Sequence, residues 1–361
     1  MDKTIKVLVV DDSAVAREFL TYVISSEPDM EVIGTANNGK QALAFVEKQR
    51  PDIVAMDVVM PEMDGIEAAR RIMSTSPIPI VLVSSQLKSI GTETSAKAME
   101  VGALAILDKP ESIESPNYAV QCQEIIETLR IMSEVRLVTR RFSKAPASIK
   151  IATAEIGKPE AVPLTPRAGQ IEAVFIGTSL GGPQALMQVL STLDNTIPVP
   201  ILIVQHIAIG FTKGLVEWLT HTSSLPITTG TNGIKALPGH VYIAPDDQHM
   251  EITPNSIIQL VNAPPDHGLR PSVSRLFSSA ARHLKERAIG IILTGMGNDG
   301  SRELLMMKET GAITIVQDPR TCLAFGMPTA AIELGAAQHI LSLEQIGPSI
   351  NKLLTASRLS Y

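Results

Sequence analysis

The chain has 361 residues, which is too long for one ordinary domain and predicts two domains that each bury a core. Its formal net charge of −6 and its aromatic content of 3% argue against a cationic, base-stacking surface for nucleic acid. The apolar run directly before Asp11 is only four residues long, Val7–Val10, and no apolar run approaches the ~20 residues of a membrane helix. Neither a signal peptide nor membrane insertion is therefore expected.

Four apolar runs in the first third of the chain each end in polar residues. The runs are Lys6–Val10, Ile53–Met56, Ile80–Val83 and Ala103–Leu107. Helical patterns between continuous apolar runs predict a parallel sheet covered on both faces. In such sheets, function gathers beyond the carboxyl ends of the strands. These ends carry Asp11, Asp12, Asp57, Ser84 and Lys109.

The three aspartates of this set would repel one another unless a cation neutralised them. Oxygen ligands with room for water suit Mg²⁺. A carboxylate beside Mg²⁺ and a lysine is suited to accept a phosphoryl group, because both cations offset the charge on the transferred oxygens. One such Asp would be read as a turn residue or helix cap, but the whole set favours a pocket.

Residues 4–125 resemble the receiver domain of two-component response regulators. The matching motifs are Val9–Ser13, Asp57–Gly65, Val83–Ser85 and Asp108–Pro110. The resemblance implies that a partner histidine kinase phosphorylates Asp57.

The same resemblance assigns roles around the phosphorylated residue. Mg²⁺ would be bound by Asp12, Asp57 and the Val59 carbonyl, with Asp11 assisting. Ser84 and Lys109 would contact the phosphoryl group. Ile106 departs from the family, since receivers usually carry an aromatic switch residue there.

The middle of the chain changes character. A helical stripe over residues 119–142 closes the first domain, and its apolar positions are Ala119, Cys122, Ile125, Ile126, Leu129 and Met132. Residues 143–169 contain four prolines without a sustained period, which predicts a semi-extended linker. The expected domains are a receiver at 1–125, a closing helix and linker at 126–169, and a catalytic domain at 170–355.

Strand-then-helix patterning resumes at Ile171. The predicted strands are the run ending at Ser179, then Pro200–Val204, Gly239–Pro245, Ala288–Leu293 and Ile313–Val316. Three of their ends carry Ser179, His206 and Asp299. A serine, an imidazole and a carboxylate at three different strand ends suit acyl transfer to water, because the imidazole takes the serine proton and the carboxylate orients it. The turn containing Met296 could offer a backbone N–H to the oxyanion.

Other interpretations of these residues stay open at this point. A histidine at a strand end is usually structural, and Gly295–Gly300 could form a phosphate-binding loop. Neither glycine turn matches the dinucleotide or P-loop motif, however. His240 and His249 near Asp246 fit no standard zinc spacing.

The second half resembles the catalytic domain of the chemotaxis protein-glutamate methylesterases, the CheB family. The matching motifs are Gly177–Ser179 with Gly181–Gly182, Gln205–His206 with Phe211–Thr212, Val241–Pro245, Arg270–Val273, Thr294–Gly300 and Gly326–Pro328. The resemblance implies a nucleophilic Ser179, a basic His206, an orienting Asp299 and an oxyanion donor at Met296.

By the same resemblance, the fold is α/β: two doubly wound parallel-sheet domains, an N-terminal flavodoxin-like receiver and a C-terminal Rossmann-like methylesterase domain. The implied function is phosphorylation-regulated hydrolysis of glutamate methyl esters, and deamidation of certain glutamines, on methyl-accepting chemoreceptors. A chemotaxis histidine kinase would be the phosphodonor. Mg²⁺ would serve the receiver, and the esterase reaction would need no cofactor.

Several departures from this family lie near the expected site. Leu180 replaces the usual Thr after the serine, Ile207–Ala208 replaces Met-Pro, and Ser274 replaces an acid. Asp246–Gln248 stands where Gly-Asp-Arg is common. They motivate an alternative, a phospho-dependent binding module with a weakened or inactive esterase fold.

A response regulator acting on DNA is disfavoured by the acidic charge and by the absence of a helix-turn-helix pattern. With only Cys122 and Cys322, a disulfide framework is not expected, and the reducing cytoplasm is the natural compartment.

Overall fold

The computed structural model describes most of the chain, in six ranges. They are residues 4–84, 97–98, 105–110, 114–115, 118–133 and 171–358. The described residues form two compact units, one on each side of residues 134–170. The predicted linker at 143–169 lies outside the described residues, and so do Ser85 and the end of the predicted closing helix.

The first unit alternates strands and helices around a five-stranded sheet. Its elements are β1 (Ile5–Val10), α1 (Ala14–Ser25), β2 (Met30–Ala36), α2 (Gly39–Lys48), β3 (Ile53–Met56), α3 (Gly65–Thr75), β4 (Ile80–Ser84), β5 (Ala105–Asp108) and α4 (Tyr118–Ser133). The sheet is parallel, in the order β2-β1-β3-β4-β5. The order reverses at β1, so a crevice is expected beyond the ends of β1 and β3.

Local sequence explains where the helices of this unit begin. Ser13, Asn38 and Asp64 each accept a hydrogen bond from the backbone N–H three residues later, which satisfies a donor that a helix start leaves unpaired. The predicted stripe of α4 buries Ile125, Ile126, Leu129 and Met132, but Ala119 is exposed and Cys122 is half-buried. The edge strand β2 was not predicted, because its half-exposed residues form no continuous apolar run.

The second unit contains a seven-stranded parallel sheet and a separate antiparallel pair. Its elements are β6 (Ala173–Thr178), α5 (Gly182–Ser191), β7 (Ile201–Gln205), α6 (Thr212–Thr222), β8 (Ile227–Thr229), β9 (Val241–Ile243), β10 (His249–Ile252), β11 (Ile258–Val261), α7 (Val273–His283), β12 (Ala288–Ile292), α8 (Ser301–Glu309), β13 (Ile313–Gln317), α9 (Gly326–Glu333), β14 (His339–Leu341) and α10 (Leu343–Arg358). The sheet order is β14-β13-β12-β6-β7-β9-β8, and β10 pairs with β11.

Apolar cores cover both faces of this sheet. Successive residues of β6 alternate between them: Val174 and Ile176 join one cluster, and Ala173 and Phe175 join the other. Burial on both faces explains why the central strands are continuous apolar runs. The prediction of two doubly wound parallel sheets is confirmed. The short strands β8, β10, β11 and β14 were missed because three or four residues carry too little pattern.

The single tryptophan, Trp218, is partly buried and lies close in sequence to two core residues. Phe211 and Leu215 are fully buried, and Trp218 packs against the cluster that contains Leu215. Across the part of the chain that is described, no helix combines the length and apolarity needed to span a bilayer.

Candidate active site and receiver pocket

Ser179 follows the last residue of β6, at the turn into α5. Gly181 has φ +76, a left-handed conformation that glycine adopts without the strain of a Cβ atom, and it caps the helix. Ser179 donates its backbone N–H to the Thr294 carbonyl at 3.0 Å, and its own carbonyl accepts from Gly182 N at 2.8 Å. The half-buried serine is thus held at a helix start, where the helix dipole favours negative charge.

His206 follows β7, and its ring contacts Asp299. The His206 Nε2 atom lies 2.9 Å from Asp299 Oδ2, and both side chains are almost fully buried. Because Nε2 is engaged by the carboxylate, the neutral imidazole carries its proton there and Nδ1 is the nitrogen left to act as a base.

Asp299 is anchored by the start of α7 as well as by the histidine. Its Oδ2 accepts from Val273 N at 2.7 Å, and its Oδ1 accepts from Ser274 N and from Ser272 Oγ, both at 3.0 Å. Burial by itself would raise the pKa of Asp299, but hydrogen bonds and charge from His206 and hydrogen bonds from Ser274 lower it below its ordinary value. The carboxylate is therefore ionised beside the imidazole.

The loop after β12 lies against the serine. A Cβ atom on Gly295 would lie 2.8 Å from Ser179 Cβ and 3.0 Å from Ser179 N, so only glycine fits there. Thr294 connects the loops: its Oγ1 lies 2.8 Å from the Leu180 carbonyl and accepts from Ala324 N at 2.9 Å. Met296, the predicted oxyanion donor, follows directly after this contact and is half-buried.

Several supporting residues had no predicted role. Ser272 and Thr294 stood inside matching motifs, but their contacts join segments far apart in sequence, which the pattern alone does not show. Ser274, which departs from the family, donates through Oγ to Glu303 at 2.6 Å, so an acidic group lies beside it after all. His249 lies near the Pro264 carbonyl at 3.1 Å. Among the described residues, the one acidic or histidine cluster suited to a metal is Asp11, Asp12 and Asp57.

That cluster lies at the ends of β1 and β3, as predicted. The ligand oxygens of the three aspartates lie within 4.8 Å of one another. Lys109 Nζ contacts Asp11 Oδ2 at 2.5 Å and Asp57 Oδ2 at 2.6 Å. Asp11 and Asp57 are buried and Asp12 is exposed, so the pocket opens to solvent on one side.

Burial and the neighbouring charged groups shift the pKa values of Asp11 and Lys109 in this pocket. Burial raises the pKa of Asp11, an effect that the hydrogen bond and charge of Lys109 offset only in part. Burial acts to lower the pKa of Lys109, but hydrogen bonds with Asp11 and Asp57 raise it overall. The pocket therefore holds three carboxyl groups against one lysine cation.

Three other residues of the receiver were singled out from the sequence: Ser84, Val59 and Ile106. Ser84 ends β4, and its buried Oγ has no hydrogen-bond partner among the described residues. Val59 is exposed, two residues after Asp57. Ile106 lies in β5, paired with Leu82 of β4.

Comparison with known proteins matches both units. A family model described as CheB methylesterase matches residues 174–350, and one described as response regulator receiver domain matches residues 7–120. A protein-glutamate methylesterase/protein-glutamine glutaminase of Geobacter metallireducens is 42% identical over 351 residues, 97% of this chain and 99% of that protein. A second, from Syntrophus aciditrophicus, is 43% identical over 349 residues, 97% of this chain and 98% of the relative.

The chain belongs to the CheB methylesterase family. A solved structure described as the Thermotoga maritima CheB methylesterase catalytic domain covers 51% of this chain and all of its own, with 36% identity and a TM-score of 0.50. This confirms the family and fold that the motifs predicted. The roles of the site residues stay a prediction, which the contacts above support.

Proposed function

We propose that this chain hydrolyses glutamate methyl esters on chemoreceptors and deamidates certain receptor glutamines, with Ser179 as nucleophile. The observation that carries the proposal is the His206–Asp299 pair at 2.9 Å, at the strand end next to Ser179. The family relatives bear the name of this activity. A serine, an imidazole and a carboxylate are the groups that acyl transfer to water uses, which supports the proposal.

The reaction begins with attack by Ser179 Oγ on the ester carbonyl carbon. His206 Nδ1 takes the hydroxyl proton, and Asp299 stabilises the imidazolium through Nε2. The histidine then gives the proton to the methoxy oxygen, methanol leaves, and a glutamyl ester of Ser179 remains. A water molecule, deprotonated by His206, releases glutamate and restores the serine.

Negative charge on the carbonyl oxygen develops beside the helix start and the Gly295 loop. We assign the Met296 backbone N–H as a donor to this oxygen, because Gly295 lies against Ser179. One such donor stabilises a transition state by about 3 kcal/mol. For a glutamine substrate, the same steps release ammonia in place of methanol.

In the receiver, we propose that Asp57 accepts a phosphoryl group from a histidine kinase. Three carboxylates and one lysine leave a formal charge of −2, and their hard oxygen ligands suit Mg²⁺. Asp12, Asp57 and the Val59 carbonyl would hold the ion, with Asp11 assisting. Bound Mg²⁺ would neutralise charge on the transferred oxygens. Lys109 and the hydroxyl of Ser84, which has no hydrogen-bond partner among the described residues, are suited to contact the phosphoryl oxygens.

Phosphorylation then increases the hydrolase activity in this proposal. The new group adds roughly −1.5 to −2 charge beside Asp57.

The proposal includes a cytoplasmic location and a receptor substrate. The location is supported by the two cysteines, which are free thiols, and the substrate is supported by the methylesterase name of the relatives. The expected domain boundaries, 1–125, 126–169 and 170–355, remain part of the proposal.

The catalytic assignment is tested by methanol release from methylated receptor membranes and by labelling with a fluorophosphonate probe. The parent should release methanol and label once per chain at Ser179. Ser179→Ala should lose both, whereas Ser191→Ala on the exposed side of α5 should keep both. A parent chain that neither labels nor releases methanol would indicate the alternative, a binding module without activity.

The regulatory assignment has its own test. A small-molecule phosphodonor with Mg²⁺ should raise the rate of the parent and leave Asp57→Asn at its basal rate. An Asp57→Asn variant that the donor stimulates as much as the parent would show that another group carries the regulation.

A further inference from the structure

The side chain of Gln205 contacts the backbone of two proposed catalytic residues at once. Its Nε2 donates to the Ser179 carbonyl at 2.8 Å and to the His206 carbonyl at 2.7 Å. Both hydrogens of the amide group are therefore used. Gln205 is buried, with 4% of its surface exposed.

These two bonds lie where the backbone pairing of the sheet stops. The ladder between β6 and β7 runs from Val174 and Ile201 to its last pair, Thr178 and Gln205. Ser179 and His206 are the next residue on each strand. The last backbone bond joins His206 N to the Thr178 carbonyl at 2.9 Å, and beyond it the Gln205 amide makes the connection.

The orientation of the amide follows from its surroundings. Turned over, its oxygen would face two carbonyl oxygens, which repel it, and no donor would remain for them. As placed, Oε1 has no partner among the described residues and lies over Gly182, where a Cβ atom would come within 1.9 Å of it. A buried oxygen without a hydrogen-bond partner costs free energy. This orientation therefore leaves the Gln205 oxygen unpaired and makes two hydrogen bonds through its nitrogen.

We propose that Gln205 is a positioning residue that sets the separation of the nucleophile from its base. It joins the backbones of Ser179 and His206 and touches neither the ester nor the reacting atoms. Anchoring by Asp299 fixes only the far side of the imidazole, through Nε2. Without the amide bridge, the backbone bond from His206 N to Thr178 would be the last hydrogen bond between the two strand ends among the described residues, and none would reach Ser179 itself from β7. This inference rests on the proposed function of those two residues.

Two substitutions separate positioning from folding. Gln205→Met keeps the length of the side chain and removes both donors, and Gln205→Glu replaces the donors with a carboxyl group. Each should lower kcat about 10- to 100-fold and leave KM within about twofold, because misplacement of reacting groups by about 1 Å costs up to 10²-fold. Fluorophosphonate labelling should slow in parallel.

The pH dependence of kcat for Gln205→Glu distinguishes a positioning role from a merely structural one. Burial raises the pKa of a carboxyl group, and the protonated form can donate one of the two lost bonds. The kcat of Gln205→Glu relative to the parent should therefore rise as the pH falls from about 8 to about 6. The ratio for Gln205→Met should stay constant, because methionine has no proton to gain.

Gln338→Met is the matched control. The Gln338 amide accepts from Thr314 N at 3.0 Å, on β13, two strands away from β6. It should lower the urea midpoint and keep the parent kcat. Gln205 variants with parent kcat and labelling rate, or with a loss of activity that Gln338→Met reproduces, would overturn the proposal. A parent chain that fails to label Ser179 would instead refute the proposed function.

Discussion

Asp299→Asn should lower both the free energy of unfolding and kcat, because the Asp299 carboxylate accepts hydrogen bonds at the start of α7 and also contacts His206. Each carboxylate oxygen accepts one backbone N–H of α7: Val273 N contacts Oδ2, and Ser274 N contacts Oδ1. Asparagine replaces one oxygen with an NH₂ group. Whichever way its amide turns, one of these two donors faces another donor and loses its partner.

The magnitude follows from that count. One buried donor without an acceptor costs about 1–3 kcal/mol. Loss of the negative charge at the start of α7 costs about 0.3–1 kcal/mol more. We therefore expect the free energy of unfolding to fall by about 1–4 kcal/mol. If the amide NH₂ group faces His206, the imidazole must take the wrong tautomer, and kcat should fall by about 10³- to 10⁴-fold.

The stability difference should depend on pH with a defined sign. The folded pKa of Asp299 lies below its value in the unfolded chain, which is about 3.9. Its contribution is thus complete above that pH and is lost as the pH falls toward the folded pKa. The difference between parent and Asp299→Asn should be constant near neutrality and narrow below about pH 4.

Urea unfolding followed by the fluorescence of Trp218 measures this difference, because the single tryptophan lies in α6 of the second unit. Asp246→Asn is a suitable control: its carboxylate accepts from Thr212 Oγ1 and Gly210 N near the start of α6, and among the described residues it makes no ion pair with a histidine. It should lose stability and keep kcat within a few-fold. If Asp299→Asn unfolds at the parent midpoint and keeps kcat within about threefold, the reasoning is wrong.

Two further substitutions test the surroundings of the serine. Gly295→Ala should lower kcat at least about tenfold, because its Cβ atom would lie 2.8 Å from Ser179 Cβ and displace the loop. Gly335→Ala meets open space but has a strained φ of +71, so it should lose some stability and keep kcat. Leu180→Thr should raise kcat up to about fivefold if a hydroxyl there adds one hydrogen bond of about 1 kcal/mol, and an unchanged kcat would show that the departure is silent.

Prediction from sequence worked where one element carries a strong local signal. Continuous apolar runs identified the central strands, and the polar residues directly after them include the candidate site residues Ser179, His206 and Asp57, whose roles stay a prediction. The half-exposed edge strand β2 and the three-residue strands β8 and β14 lacked such a signal. Their pairing depends on neighbours that lie far away in sequence.

Supporting contacts were beyond prediction for a different reason. Asp299 is held by Ser272 and the start of α7, and neither partner is near it in sequence. Nothing in the spacing of Gln205 shows that its amide would reach over the end of the sheet to a carbonyl 26 residues earlier. Such contacts follow from the strand order, which brings the ends of β6, β7 and β12 together.

Both units place their chemistry at the same kind of position. In each sheet the strand order reverses beside one central strand, β1 in the first unit and β6 in the second. Helices leave to opposite faces at such a point, so the side chains that follow the strands are not covered by the connections. The aspartates after β1 and β3 and the serine after β6 occupy these openings. Topology thus determines where each candidate site lies, whereas buried polar contacts such as those of Gln205 and Ser272 orient the groups proposed for it.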